Sequence, residues 1–389
     1  MSPPDQTRRI LVGFGVVEAL SQVLQGISAY IKEHGNRWEV RCVDAEEFSR
    51  LLPRGTLDGA ISTIPSNRVD LLAEVAAATF PVVNMLHDCQ SVLPSVLTDE
   101  SALGYAAAKH FMERGFRNFA YLGFDSAWSR GREDGFTAAL TEAGHRFHVC
   151  ECWADNTSFR FLDAPHAAQL AQAWVASLPK PVAVLACSDS VASTAMSSWL
   201  AAGFRVPEEV AVMGVGNFAA TCELAPVPLS SVAMNFPRMA FEAARVLDGM
   251  MSGDRPQRPC LVPPAGVISR RSTNAFSFED EHVSAAMTLI HERAAEGLTL
   301  KDLLRQFPVS RRWLSERFKQ FVGRTASQEI RRLRLERVRD LLLNSDLTIQ
   351  QIATRCAFSR PENLTRFFRD AHGVPPETYR NHNRNLGTW

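Results

Sequence analysis

From about residue 8 to residue 270, short apolar runs alternate with amphipathic stretches. Ile10–Val16 reads as a strand. Glu18–His34 reads as a helix whose Leu20, Leu24, Ile27 and Ile31 share one face, because positions three and four apart fall on the same side of a helix. Trp38–Val43 predicts the next strand, Asp58-Gly59-Ala60-Ile61 opens another, and Phe80–Asn84 follows. A helix over Ser101–Arg114 leads into a strand at Asn118–Gly123. Strands at Val182–Cys187 and Val210–Val215 flank a helix over Ser190–Ala202, which Gly203 and Pro207 end. Strands that are apolar at every position and separated by helices belong to a parallel sheet with both faces covered.

The pattern changes after Arg270-Arg271-Ser272-Thr273. Residues 1–273 therefore form an α/β domain, residues 274–281 a short polar linker, and residues 282–389 an all-α domain without strand signal. Its helices are expected at His282–Ala295, Leu300–Gln306, Arg311–Phe321, Ser327–Leu343, Ile349–Cys356 and Pro361–His372.

Charge sharpens this division. The chain of 389 residues has no formal net charge, yet from Glu281 onward 19 Lys and Arg stand against 12 Asp and Glu, and nearly all the cations are Arg. A basic tail behind an acidic body suits a nucleic-acid partner, although a solvated helical surface accounts for the same numbers. The eight cysteines include no CxxC, which speaks against a disulfide framework and zinc fingers and for reduced thiols in the cytoplasm. The N-terminus carries no long apolar run after its charges, so no signal peptide and no membrane span are expected. No P-loop, GxSxG or HExxH occurs. An enzyme is not expected, and neither a metal nor a cofactor is expected.

The tail contains an internal echo. Leu298–Gly323 and Leu347–Gly373 share one layout: Leu-Thr, a short helix, a turn ending in Ser, a second helix carrying Leu and then Arg-x-Phe, and a closing Gly at the helix C′ position. Leu314 and Phe318, like Leu364 and Phe368, are four apart and pack inward, which leaves a polar face outward. Helix, turn and second helix is what a reader of the DNA major groove needs.

With Ile352-Ala353, Phe358, Leu364 to Arg369, Gly373-Val374-Pro375-Pro376 and Tyr379-Arg380 in the second unit, the tail resembles the DNA-binding domain of the AraC/XylS family. The resemblance implies that polar residues early in each second helix reach base edges: Arg312, Ser315 and Glu316 in the first unit, Pro361, Glu362, Asn363 and Arg366 in the second. It places Arg311, Lys319 and Arg369 on phosphates, which position without specifying. A solvated surface role is open for each. The sequence departs from the family in the turns, where Pro308 and Ala357 stand in place of a Gly. If either position needs a positive φ, Pro cannot supply it and Ala does so at a cost.

The α/β part resembles the two-lobed core shared by LacI-type repressors and periplasmic binding proteins. The resemblance rests on Leu57-Asp58-Gly59-Ala60-Ile61, Thr98-Asp99, Gly115-Phe116-Arg117-Asn118-Phe119-Ala120-Tyr121-Leu122-Gly123, Arg132-x-x-Gly135-Phe136, Ala186-Cys187-Ser188-Asp189, Val210-Ala211-Val212-Met213-Gly214 and Leu229-Ser230-Ser231-Val232. A core of this kind joined to an AraC-type tail through Leu261-Val262-Pro263-Pro264 and Arg270-Arg271-Ser272-Thr273 is similar to the XylR-like group of xylose-responsive transcription activators. That resemblance implies a small sugar effector with D-xylose first, a homodimer, double-stranded DNA and RNA polymerase as partners, and no membrane.

It also implies an effector site with Trp128, Arg132, Asp189 and Asn217. Ordinary roles are open for three of them: Trp128 as core, Asp189 as a helix cap, and Arg132 as the partner of a nearby carboxylate. Glu18 and His87 follow predicted strands and are further candidates. Gly216 stands where such regulators place an acid, and Ala233-Met234 where they place a polar residue. An Asp restored at 216 is therefore expected to strengthen or redirect sugar choice. A DNA binder whose α/β part is only a dimerisation platform, without a ligand, is the rival reading.

Overall fold

The computed structural model describes residues 7–13, 15, 19–52, 56–63, 69–85, 93–150, 165–256 and 258–385. Its first lobe alternates β1 (Arg8–Gly13), α1 (Leu20–His34), β2 (Trp38–Val43), α2 (Ala45–Leu51), β3 (Gly59–Ser62), α3 (Val69–Ala76) and β4 (Val82–Asn84). The four strands form a parallel sheet in the order β2-β1-β3-β4. The chain then crosses over through β5 (Val96–Thr98) and α4 (Glu100–Glu113).

The second lobe runs β6 (Asn118–Leu122), α5 (Ala127–Glu142), β7 (Phe147–Cys150), α6 (Pro165–Ser177), β8 (Val182–Ala186), α7 (Asp189–Ala201), β9 (Val210–Gly216), α8 (Ala219–Leu224) and β10 (Ser230–Ala233). α9 (Phe236–Met251) returns to pack on α1. β11 (Cys260–Val262) pairs with β5, and β12 (Gly266–Ile268) closes the large sheet. That sheet has the order β12-β10-β9-β8-β6-β7 and is parallel except where β12 meets β10. Every residue of β8 and β9 is buried, as a sheet clad on both faces requires.

The tail comprises α10 (Glu281–Arg293), α11 (Leu300–Gln306), α12 (Arg311–Val322), α13 (Ala326–Asn344), α14 (Ile349–Arg355), α15 (Pro361–His372) and α16 (Pro376–Asn385). Two small cores divide it. Met287, Ile290, Leu303, Leu314, Phe318 and Ile330 form one, and Val338, Leu342, Ile352, Leu364 and Phe368 form the other. α13 contributes to both. At 1.5 Å per residue its 19 residues make a rigid spacer about 28 Å long.

The starts of these helices are written in the sequence. Thr299, Thr325 and Thr348 each make a reciprocal capping box, and Ser310 accepts from the Trp313 N–H. Residues 274–280, polar in sequence, hold two aromatic rings: Phe276 and Phe278 stack 6.2 Å apart and pack on the first tail core.

Candidate functional site

β6, β8, β9 and β10 run parallel, so their carboxyl ends meet at one edge, where open α/β sheets take ligands. Trp128 and Arg132 reach this edge from the first turns of α5. They come close because α4 and α5 cross at glycines. A Cβ on Gly104 would lie 1.9 Å from the Arg132 carbonyl oxygen, and one on Gly135 would lie 1.9 Å from the Ser101 carbonyl oxygen.

The crossing lays the Arg132 guanidinium against Glu100: Nε donates to Oε2 at 2.6 Å, and Nη1 donates to the Cys187 carbonyl. The half-buried Trp128 ring covers the guanidinium at 4.7 Å, and the Met234 sulfur lies 3.9 Å from Nη2. The carboxylate partner considered for Arg132 thus exists and is Glu100. The position where relatives would place a polar group presents a thioether to the same guanidinium.

Asp189 follows β8. The α7 cap is Ser188, whose hydroxyl accepts from the Val191 N–H, and this leaves Asp189 at the first helical position with its carboxylate on the sheet edge. Oδ1 accepts from the Ser231 hydroxyl at 2.6 Å and Oδ2 from the Phe218 N–H at 2.9 Å. Burial pushes this carboxyl above its ordinary pKa, and the two hydrogen bonds oppose that shift.

Asn217 adopts a left-handed φ of 57°. Its N–H donates to the Ser231 hydroxyl at 2.9 Å, and its Oδ1 accepts from Arg270 Nη2 at 3.0 Å. The four sequence candidates are therefore brought to one edge, as two contiguous groups. Glu18 and His87 lie outside the described residues.

Sequence reasoning missed Glu100, Ser231 and Arg270. Ser231 sat inside a recognised fragment without an assigned role, and Arg270 lay in the join. Glu100 is 32 positions from Arg132, so the helix crossing alone reveals it. A buried carboxylate, a buried guanidinium and an aromatic face suit hydroxyls and a C–H surface. Each of these side chains already has a protein partner, while carboxylate oxygens keep further lone pairs, so a ligand's hydroxyls add to these bonds or exchange with them.

In the tail, Arg312, Glu316 and Lys319 on α12 and Glu362, Asn363, Arg366 and Arg369 on α15 face away from the buried Leu314/Phe318 and Leu364/Phe368, whereas Arg311 and Pro361, in the first turns, lie on the side of those core residues. Arg311, Arg312, Glu316 and Lys319 are exposed on α12, as are Glu362, Arg366 and Arg369 on α15. Ser315, Pro361 and Asn363 are half-buried. Pro361 occupies the first turn of α15, where its missing N–H costs nothing.

Several of these residues hold one another. Arg312 Nε lies 2.9 Å from Glu316, Asn363 Nδ2 donates to Ser359 at 2.8 Å, and Arg366 Nη2 lies 3.5 Å from Asn363 Oδ1. Exposed pairs of this kind are worth little in water and are readily exchanged for DNA acceptors. Of the two turn residues, Ala357 carries a left-handed φ of 53°, whereas Pro308 has no positive φ. Among the described residues, no His/Cys/Asp/Glu group could hold a metal ion, and no helix is long and apolar enough to cross a membrane.

Comparison with known proteins fits both halves. Residues 108–273 match the periplasmic binding protein-like domain, and residues 303–382 match a helix-turn-helix domain. The Xylose operon regulatory protein of Escherichia coli K12 is 28% identical over 376 residues, covering 93% of this chain and 94% of that protein. The chain is a transcription regulator homologous to these proteins. The regulator of the same name from Haemophilus influenzae is 26% identical over 368 residues, covering 92% of this chain and 94% of that one. The structure of the xylose-binding transcription activator XylR aligns with a TM-score of 0.61 at 27% identity, covering 98% of this chain and all of that chain. The α/β domain followed by the helical domain is thus the shared architecture of these homologues.

Proposed function

We propose that this homologue is a cytoplasmic, homodimeric activator. Residues 282–389 bind double-stranded DNA, and the α/β domain of residues 1–273 takes a small sugar, D-xylose first, at the edge that holds Trp128, Arg132, Asp189 and Asn217. Residues 274–281 are the joint. Relatives named for xylose support the choice of sugar.

The observation that carries the reading is the combination of two parts in one chain. One is a sheet edge where a buried guanidinium under a Trp ring is paired with Glu100 and the buried Asp189 carboxylate follows β8. The other is a pair of helices, α12 and α15, with arginine-bearing outer faces. Effector binding closes the lobes, reorients the tails onto their half-sites and lets polymerase be recruited. The sugar shifts this equilibrium only by its differential affinity for the two states.

One observation favours a second reading. Both oxygens of the Asp189 carboxylate already accept protein hydrogen bonds, from Ser231 and Phe218, as they would in a dimerisation platform that takes no ligand. Thermal denaturation of the full chain with a sugar panel separates the two. A ligand that binds only the folded state adds about 2.7 kcal/mol at a hundredfold excess over Kd, which raises Tm by several degrees. D-xylose is expected to give that rise. No rise with any pentose, hexose or sugar phosphate on folded protein supports the platform reading instead.

A further inference from the structure

Arg270 joins the effector edge to the chain entering the tail. Its guanidinium is shared among three acceptors: Nη2 donates to Asn217 Oδ1 at 3.0 Å, Nη1 to the Leu229 carbonyl at 2.9 Å, and Nε to Glu223 at 2.7 Å. Its own N–H donates to the Ser230 hydroxyl at 2.7 Å. On one side the connection continues from Asn217 through Ser231 to Asp189.

On the other side, Ser230 Oγ lies 2.7 Å from Thr273 Oγ1, which meets His110 Nε2 at 3.0 Å. Arg114 Nε donates to the Thr273 carbonyl at 3.1 Å, and the Arg114 carbonyl accepts the Ser277 N–H at 2.8 Å. The same guanidinium lies 5.6 Å from the centre of the Phe276 ring, which packs on the tail core beside His291. Hydrogen bonds thus run unbroken from Asp189 to the chain that carries Phe276 and Phe278.

We propose that Arg270 is the positioning residue through which occupancy of the effector edge is transmitted to the DNA-binding tail. The exchange occurs at Asn217. Its amide oxygen accepts from Arg270 in the present arrangement and from a sugar hydroxyl when effector is bound. An Asn held in the left-handed region by bonds at both its N–H and its side chain is set to change when one of them is lost. Releasing Arg270 loosens residues 270–277, which seat the tail. An arginine suits this role because its planar fork reaches three acceptors at fixed angles, whereas a lysine offers a single point charge.

The proposal rests on the effector reading above, and the test separates the two. The full chain is titrated onto a selected duplex with and without D-xylose, as wild type and as Arg270→Lys. The wild type is expected to show a sugar-dependent affinity ratio of roughly fivefold or more. In Arg270→Lys the ratio is expected to fall to about one, with the sugar-free affinity moving to the wild-type sugar-bound value, while sugar still raises Tm. A variant that keeps the full ratio, or that binds DNA weakly in both conditions, overturns the proposal.

Hydrogen exchange of the wild type gives the same test without a variant. Sugar should speed exchange at the Arg270, Ser272 and Ser277 amides, and unchanged protection there overturns the proposal. A wild type that no sugar stabilises defeats the effector reading, and this proposal with it.

Discussion

Glu329 and Arg332, three residues apart on α13, form a two-pronged ion pair, with Arg332 Nη2 2.6 Å from Oε1 and Nε 2.9 Å from Oε2. Arg324 Nε adds a contact at 2.9 Å, and His291 of α10 adds one at 3.4 Å. The carboxylate is 1% exposed. It ties α10 to α13 beneath the joint, on the tail side of Arg114 and Phe276.

Burial works to raise the Glu329 carboxyl, but the bonds from Arg332 and His291 and the charges of Arg332 and Arg324 outweigh it and hold it at about 2. Because this folded value lies below the unfolded one of about 4.3, the stabilisation is complete above pH 4.3 and is lost as pH falls toward 2. Glu329→Gln is expected to cost on the order of 2–3 kcal/mol at pH 7, less than a fully buried pair, because both arginines are partly exposed. Urea midpoints should show that this cost shrinks between pH 4.3 and pH 2. A cost that stays constant across that window contradicts the assignment.

The turn of the second unit holds a correctable strain. Ala357 sits at φ 53°, which L-residues tolerate poorly, and its Cβ faces Gly297, itself at φ 89°. Ala357→Gly should raise stability by roughly 0.5–1 kcal/mol, the left-handed penalty less the entropy of glycine. Gly297→Ala should lower it, since the new Cβ would lie 2.8 Å from that of Ala357. Thermal denaturation of the two variants reads opposite signs, and a matching sign contradicts the geometry.

Restoring an acid at position 216 is not the simple repair that the sequence comparison suggests. Gly216 has φ 128°, and a Cβ there would lie 2.7 Å from the Phe218 ring and 3.2 Å from Asp189 Oδ2. Asp189 already occupies the space from its own strand end. Gly216→Asp should therefore cost about 2 kcal/mol or more from backbone strain, with a further loss from the neighbouring carboxylate. Gly216→Ala carries the strain without the charge, so the gap between the two variants should narrow as pH falls toward 4. Equal stability of Gly216→Asp and wild type would sink this account.

Strands β1–β4, β6, β8 and β9, the tail helices α11 and α15 and the inward pairs Leu314/Phe318 and Leu364/Phe368 were legible because apolar runs and helical period are local properties, whereas β5, β7, β10, β11 and β12, each only three or four residues long, were not. α16 was not predicted: Pro376–Asn385 is polar nearly throughout, and Tyr379 joins the second tail core from it. The candidate site was legible only in part. Arg132 and Asp189 stand out in the sequence by their chemistry, but their partners Glu100 and Ser231 come from other elements, through a helix crossing and a strand register. The linker misled because its polarity masked Phe276 and Phe278, whose burial depends on the tail surface.

In the tail, Arg366→Ala should relax base preference at one position and cost about 1–3 kcal/mol on the preferred duplex, as the loss of an arginine reading a guanine does. Arg369→Ala should weaken all duplexes about equally and flatten the salt dependence. Anisotropy titrations on matched and mismatched duplexes distinguish the two, and identical profiles would refute the division into reading and positioning residues.

The central claim is that the α/β domain controls DNA binding by the tail in response to a small sugar. The most direct measurement is the affinity of the wild-type full chain for a duplex selected from a random pool, at fixed salt, with and without saturating D-xylose. The account predicts sequence-preferring binding that weakens steeply with salt and changes roughly fivefold or more with sugar. An affinity that the sugar leaves unchanged, in protein whose Tm the same sugar raises, contradicts it.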